Sequence, residues 1–335
     1  MKILFVGDIY KNTGPSNLNR AYHKYLCHRM IFTYQRNKPL LLLELIFGVF
    51  RSSSIVVSGG GNSSFLAVKL AALLKKPIAY LMHGCYEYEC EVNRLAPDQQ
   101  AINTEKIIMT KVDQIICVSE RFSQWVGRRY PEFIEKLVFV NIGVEWEKQK
   151  HTEKMTIPRN SMQIVTMGGG RPQKNNLIIS QAVEMLNSDY RQAFQLFVLG
   201  RDGLDTEAMK QNHHTTVVGQ VNSGEVKRYL KECGIFIQNS TLESFGIGVV
   251  EALREGCDIL VSRNVGALSV INNTEDQDII NDFMDVKEVA EKILYLFRHG
   301  NNDRLLNSID KEVTSMKVSA DNLYDMIVKS CHRRM

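Results

Sequence analysis

The sequence predicts an α/β protein of two domains, each built around a parallel sheet. Three observations carry that prediction. The chain has 335 residues, and at roughly 150 residues per domain this gives two. Short apolar runs bounded by Gly, Asp, Ser or Asn alternate with helical patterns from end to end, as buried parallel strands joined by crossover helices should. Between two sets of such runs lies 145–161, rich in Lys, Glu, Gln and Thr, carrying Pro158 and lacking a sustained apolar period, which places a linker there. Apolar residues at 44%, charged residues at 23% and only seven prolines exclude a disordered or collagen-like chain.

In the first set, 2–6, 55–58, 77–82, 114–118 and 137–140 read as strands. Residues 16–30 read as the helix between the first two, with Leu18, Tyr22, Tyr25 and Leu26 on one face and Arg20, Lys24 and His28 largely off it. In the second set the strands fall at 163–167, 195–199, 215–218, 234–238 and 258–261, separated by helices such as 177–186 and 225–231. From residue 285 the spacing of Val289, Ile293 and Leu296 is again helical, and a polar turn at 299–303 leads to the last helices. The expected organisation is a domain over 1–150, a second over 151–315, and a C-terminal helix over 316–335 packing back on the first.

Several function classes drop out early. After Lys2 the first apolar run is stopped by Asp8, too soon for a signal-peptide core, so the expected location is the cytoplasm. The longest apolar run, 40–50, contains Glu44 and falls well short of the ~20 residues a spanning helix needs. Seven cysteines, an odd number with no CxxC, read as reduced thiols. His83, Cys85 and Cys90 lack a fourth ligand and zinc-like spacing, and Asp276-Gln277-Asp278 reads as a solvated turn in a polar loop. No metal and no cofactor is therefore expected. The Gly-rich 58–63 lacks G-x-G-x-x-G spacing and the next strand ends at His83 rather than an acid, which argues against a nicotinamide site. The net charge of +4 is unevenly spread: residues 1–86 hold eleven Lys/Arg against Asp8 and Glu44, a net +9 that leaves −5 for the rest. That asymmetry points to an anionic partner on one side of the molecule. No nucleic-acid-binding motif accompanies the charge, so nucleic acid is not expected.

Ligands of open parallel sheets bind beyond the carboxyl ends of the strands, so the loops there carry the candidate chemistry. Gly168-Gly169-Gly170-Arg171-Pro172-Gln173-Lys174-Asn175 lies between a strand and a helix. Its glycines let backbone approach a ligand, and Arg171 and Lys174 add two cations beside a positive helix end, a site suited to phosphate. Glu243-Ser244-Phe245-Gly246 follows another strand and opens an apolar helix that contains Glu251. The two glutamates are separated by about 10–12 Å at 1.5 Å per residue, room for a diphosphate whose oxygens would face the amides of Ser244, Phe245 and Gly246. Phe245, Ile247, Val249 and Val250 make this segment too apolar for a surface helix, which leaves both carboxylates in need of polar partners.

These motifs, with Val198-Leu199-Gly200, resemble the donor-binding domain of the retaining, nucleotide-sugar-dependent glycosyltransferases of family four, the group 1 glycosyl transferases of GT-B fold. Thr13-Gly14-Pro15-Ser16-Asn17 is similar to that family's first loop, His83-Gly84 to its cleft histidine, and Cys117-Val118-Ser119-Glu120 and Asn141-Ile142-Gly143-Val144 to the segments that close its first domain. The likeness spans about residues 1–270. It implies two Rossmann-like domains facing a central cleft, the first binding the acceptor, with the Gly-rich 58–63 on the acceptor side, and the second binding the nucleotide-sugar donor. It also implies that Arg171 and Lys174 hold the donor diphosphate, that Glu243 contacts the donor sugar, and that Glu251 holds the ribose. His83 would approach the transferred sugar, Gly14 would admit the diphosphate, and Gly170 and Gly200 would line the donor site. The interval from Arg171 to Lys174 is shorter than in many relatives.

The expected reaction is metal-independent transfer of a sugar from a nucleotide diphosphate sugar to a glycan or lipid-diphosphate-linked acceptor, with retention, in bacterial surface-polysaccharide assembly. A nucleotide-sugar epimerase, a phosphorylase and a non-catalytic sugar-nucleotide-binding module are the alternatives. Basic and aromatic side chains within 20–38, followed by the apolar 40–50, suit an anionic membrane surface reached through residues 20–51, on the inner face of the membrane.

Overall fold

Buried apolar runs become strands throughout. β1 (Ile3–Val6), β2 (Met30–Phe32), β3 (Ser54–Ser58), β4 (Ile78–Met82), β5 (Gln114–Cys117) and β6 (Leu137–Phe139) form one sheet in the order β2-β1-β3-β4-β5-β6, every pairing parallel. β1 and β4 are buried along their whole length, as strands covered on both faces must be. The crossovers carry α1 (Gly14–Leu26), α2 (Lys38–Arg51), α3 (Asn62–Leu73), α4 (Tyr86–Val92), α5 (Gln99–Lys111) and α6 (Glu120–Arg129). Side-chain caps fix several of their starts: Thr13 accepts from the Ser16 amide, Asp98 from those of Gln100 and Ala101, and Ser119 from that of Phe122.

The second sheet has the order β12-β11-β10-β7-β8-β9, also all parallel, from β7 (Asn160–Met167), β8 (Gln195–Leu199), β9 (Thr215–Gly219), β10 (Cys233–Gln238), β11 (Asp258–Ser262) and β12 (Ile279–Ile280). Its helices are α7 (Asn176–Asp189), α8 (Thr206–Lys210), α9 (Ser223–Glu232), α10 (Ile247–Glu255), α11 (Val286–His299) and α12 (Asn302–Asn307). One core joins Ile179, Val183 and Leu186 of α7 to Val289, Ile293 and Leu296 of α11 across Phe194, Leu196, Ile235 and Ile237. The last helix, α13 (Met316–His332), returns to the first sheet.

The computed structural model describes residues 2–146 and 160–332. They divide into two compact units, one taking in the chain up to Glu91, Ala96–Trp146 and everything from Lys311, the other Val92–Leu95 and the stretch up to Asp310. In the first unit α13 lies on α1: Tyr22 Oη is 3.3 Å from Ser319 Oγ, and the Arg29 guanidinium sits 3.7 Å over the Tyr324 ring.

Each sheet has a switch point where successive connections leave in opposite directions. In the second unit β7 leads to β8 on one side and its neighbour β10 leads to β11 on the other. In the first unit the corresponding pair is β1 and β3. The crevices beyond the carboxyl ends of these pairs are where such sheets hold ligands.

Four expectations are corrected. The first helix stops at Leu26, because Met30 and Phe32 bury themselves beside β1 as β2, a strand the sequence reading missed. β12, two residues long, was missed as well. The linker placed at 145–161 falls mostly on 147–159, outside the described residues, but Asn160 and Ser161 already belong to β7 and Glu145 accepts from Lys24 and Tyr25. The Asp276–Asp278 turn is not simply solvated: Asp278 is buried, bonded to both terminal nitrogens of Arg304 and to Asn301 Nδ2, so this carboxylate holds the fold together. Among the described residues no helix is long and apolar enough to cross a membrane.

Candidate functional site

The switch point of the second unit brings together the two loops singled out above. After β7 the chain turns back on the loop that follows β8, with the amides of Gly168 and Gly169 donating to the Leu199 carbonyl at 2.8 and 2.9 Å. A Cβ on Gly170 would lie 2.1 Å from Thr206 Oγ1, and one on Gly200 would lie 2.6 Å from the Gly169 nitrogen. What these two glycines admit is therefore the close approach of one loop to the other.

A 3-10 turn at Pro172–Lys174 and a left-handed Asn175 at φ 49° lead into α7. Side-chain amides tie this turn down. Asn176 Nδ2 donates to the Gly169 carbonyl (2.8 Å), Asn175 Nδ2 to that of Asn239 (3.0 Å), and Gln173 Nε2 to that of Leu242 (2.9 Å). The Thr241 amide returns a bond to the Gln173 carbonyl at 2.9 Å. Asn93, in the short Val92–Leu95 segment that belongs to this unit, accepts from the Gln173 amide. The two loops are thus one construction. Lys174 is only 7% exposed, and its ammonium is bonded to the Glu243 carboxylate. Arg171 is exposed, with Nε donating to the Gly168 carbonyl at 3.3 Å.

Glu243 is held through its backbone, its amide donating to the Asn264 carbonyl (3.1 Å) and its carbonyl accepting from Gly266 (2.9 Å). Ser244 and the buried Phe245 follow, and Gly246 at φ 86° turns the chain into α10. A Cβ there would meet Glu243 Cγ at 2.9 Å, so the turn that starts the helix also sets the glutamate against it. The N-cap of α10, Gly246, has no side chain to cap the first turn, and the helix start lies at the carboxyl edge of β10 with its positive end. One turn on, Glu251 is partly buried and has no hydrogen-bond partner among the described residues. Burial holds its carboxyl above the usual range, more than the neighbouring Arg254 lowers it, with Glu255 adding to the rise. A desolvated carboxyl of this kind is suited to sugar hydroxyls, which would supply the missing donors.

In the first unit Gly14 opens α1 in an exposed position with open space where a Cβ would stand. His83 follows β4, and its orientation comes from residues the sequence reading passed over. Its Nε2 lies 2.7 Å from Ser58 Oγ, which in turn donates to Asn19 Oδ1 at 2.7 Å, while Asn19 Nδ2 donates to the Asp8 carbonyl. The Asp8 carbonyl fixes the Asn19 amide, so the Ser58 proton goes to Oδ1 and the Ser58 oxygen must accept from Nε2–H. In its neutral form His83 then carries its proton on Nε2 and has Nδ1 as its acceptor. The Gly-rich loop assigned to the acceptor side begins at Ser58, and this is its contribution to the histidine.

Burial lowers the His83 pKa from its ordinary 6.5 to about 4. Between those values the unfolded chain binds a proton that the native protein does not, so this residue withdraws stability as pH falls from 6.5 towards 4 and has no such effect above. Replacing His83 with Gln is expected to flatten the acid limb of a Tm against pH curve in that window. An acid limb identical to the wild type would remove the neutral, desolvated histidine.

Arg171, Lys174, Glu243, Ser244, Phe245, Gly246 and Glu251 thus gather on one edge of the second unit, with Gly170 and Gly200 packing beneath, and Gly14 and His83 stand at the corresponding edge of the first. Among the described residues there is no cluster of three His, Cys, Asp or Glu able to hold a metal ion.

Residues 147–312 match the family model of the glycosyl transferases group 1. No curated protein matches the chain in sequence. Several solved structures do in fold. HepE from Anabaena in complex with UDP superposes with a TM-score of 0.71 at 13% identity, covering 98% of this chain and 100% of its own. Sucrose-phosphate synthase from Thermosynechococcus elongatus gives 0.70 at 14% identity with 98% of each chain covered. The catalytic domain of starch synthase IV from Arabidopsis thaliana, bound to ADP and acarbose, gives 0.68 at 12% identity with 99% of each covered. Such identities establish the fold, two Rossmann-like domains of the GT-B class, and residues 147–312 are a glycosyl transferases group 1 domain.

Proposed function

We propose that the protein is a retaining, metal-independent glycosyltransferase that moves a sugar from a nucleotide diphosphate sugar to a glycan or lipid-diphosphate-linked acceptor in the assembly of a bacterial surface polysaccharide. The observation that carries this reading is the edge of the second unit. There a fixed Lys174–Glu243 pair and an exposed Arg171 stand by the start of α10, whose N-cap is Gly246, and Glu251 lacks a donor among the described residues one turn further on. HepE, similar in fold, was solved with UDP-glucose, which supports a nucleotide-sugar donor.

Breaking the bond between the anomeric carbon and the phosphate oxygen leaves positive charge on the sugar ring and negative charge on the departing diphosphate. Arg171, Lys174 and the amides at the start of α10 stabilise the second. Glu243 contacts the sugar hydroxyls and Glu251 the ribose. The resemblance assigns His83 to the transferred sugar and Gly14 to the diphosphate. The acceptor hydroxyl attacks from the face the diphosphate leaves, and its proton passes to the departing phosphate oxygen, so the configuration is retained without a covalent enzyme adduct.

Screening nucleotide sugars for thermal stabilisation tests the donor site, and a transfer assay in EDTA with the stabilising donor tests the reaction. At least one nucleotide sugar is expected to raise Tm, and turnover is expected to persist in EDTA. Loss of activity in EDTA with rescue by Mg²⁺ or Mn²⁺ would refute metal independence. A glycosyl adduct on the intact protein would refute front-face transfer, and donor turnover that needs no acceptor would point to an epimerase.

A further inference from the structure

The solvent side of α2 is apolar. At 100° per residue Leu40, Leu43, Phe47 and Phe50 fall within an arc of about 80°, along about 15 Å of helix. They are 50%, 51%, 65% and 61% exposed. The other side of the same helix buries Leu45 and Val49. A helix apolar on both sides is unsuited to facing water. The patch continues at the end of α3, where Leu73 is 80% exposed. Lys76 ties the two helix ends together, its ammonium donating to the carbonyls of Val49, Phe50 and Ser52.

The exposed charges around this stripe are cations: Arg36 and Lys38 at its start, Arg51 at its end, Lys69 and Lys75 on the α3 side. Glu44, the acid within α2, is turned back to accept from the amides of Tyr34 and Gln35. A hollow of about 340 Å³ between Lys75, Lys76 and Lys111 adds to the same basic end. The cations of α1 and of the turn after it are engaged elsewhere. Lys24 pairs with Glu145, Arg29 with Asp321, and Arg20 donates to the carbonyls of Ile9 and Lys11. The surface is therefore narrower than residues 20–51, and includes the end of α3.

We propose that this face docks on an anionic phospholipid bilayer, with Leu40, Leu43, Phe47 and Phe50 entering the acyl boundary and the surrounding lysines and arginines meeting lipid phosphates. Apolar area and positive charge on one helix face are the two terms that drive interfacial binding. A second copy of the chain is a poor occupant, because it would bring an equally basic rim against this one. The inference deepens the lipid-linked part of the function proposed above and rests on it only for the acceptor's nature.

The test is flotation of the full chain at low salt with vesicles of phosphatidylglycerol and phosphatidylcholine, and with phosphatidylcholine alone. Binding is expected to the anionic vesicles and to fall with salt. The double variant Phe47→Ser, Phe50→Ser is expected to weaken it by roughly tenfold or more. Lys69→Glu with Lys75→Glu is expected to weaken it by a similar factor and to abolish the preference for anionic lipid. Circular dichroism and stabilisation by the nucleotide sugar should be unchanged in both variants. No flotation with anionic vesicles, equal binding to neutral ones, undiminished binding by the Phe double variant, or a lipid-free dimer abolished by that variant would each overturn the proposal. Vesicle binding without stabilisation by any nucleotide sugar would instead sink the donor reading and leave this one standing.

Discussion

Arg171→Ala is expected to lower kcat by about 10²–10³-fold, the usual loss when one preorganised donor to a developing anion is removed. Tm should move by no more than about 2 °C, since surface substitutions stay within about 0.5 kcal/mol and 1 kcal/mol shifts a domain of this size by about 2–4 °C. The separation of the two effects follows from position. Arg171 is exposed, and its contact with the Gly168 carbonyl is made by Nε at 3.3 Å, so little of the fold depends on it. The glycine turn and the 3-10 turn on either side fix its backbone without using its side chain. Because charge on the diphosphate grows as the bond breaks, the loss should fall more on kcat than on KM for the donor. Arg171→Lys should lie between the wild type and the alanine variant, since it keeps the charge and loses the planar fork. A kcat in Arg171→Ala within threefold of wild type would remove this residue from the proposed chemistry.

The difference between Arg171 and Lys174 marks what can be read from sequence. Both were legible as cations in a Gly-rich loop between strand and helix, because that grammar needs only local order. The other ten strands were legible for the same reason: continuous runs such as Ile3–Val6 and Cys233–Gln238 are buried end to end. β2 and β12, three and two residues long, carry too little apolar periodicity to stand out, and their strand character comes from the neighbour they pair with. The supports of the site were hidden for a further reason. Asn19, Ser58 and His83 are bonded in series across three elements, and Gln173 reaches Leu242 across sixty-nine positions of sequence. A polar residue closing an apolar strand, as Ser58 does before Gly59, was the signal available. Its partner can be named only once β1, β3 and β4 lie side by side.

Lys174 and Glu243 form the pair for which turnover alone is an ambiguous measurement. Their side chains are 9% and 20% exposed, so Lys174→Ala leaves a carboxylate largely desolvated and unpaired. Breaking such a pair costs about 3–5 kcal/mol, and at about 2–4 °C per kcal/mol Tm should fall by roughly 6–20 °C. Glu243→Ala strands the ammonium in the same way. Each single variant should also lose at least about 10²-fold in kcat, but a purely structural ion pair would produce that loss too, through a disordered loop. The double variant Lys174→Met, Glu243→Gln separates the cases. Replacing a buried ion pair by groups of similar volume removes both charges and both desolvation costs, so most of the lost stability should return. Turnover should not return with it, because the cation for the departing diphosphate and the carboxylate for the sugar are then both absent. A double variant that regained the wild-type Tm together with wild-type kcat would show that the pair serves only to join the two loops. One that regained Tm with kcat still about 10³-fold down would assign the pair to the reaction, and a structural role alone cannot give that outcome.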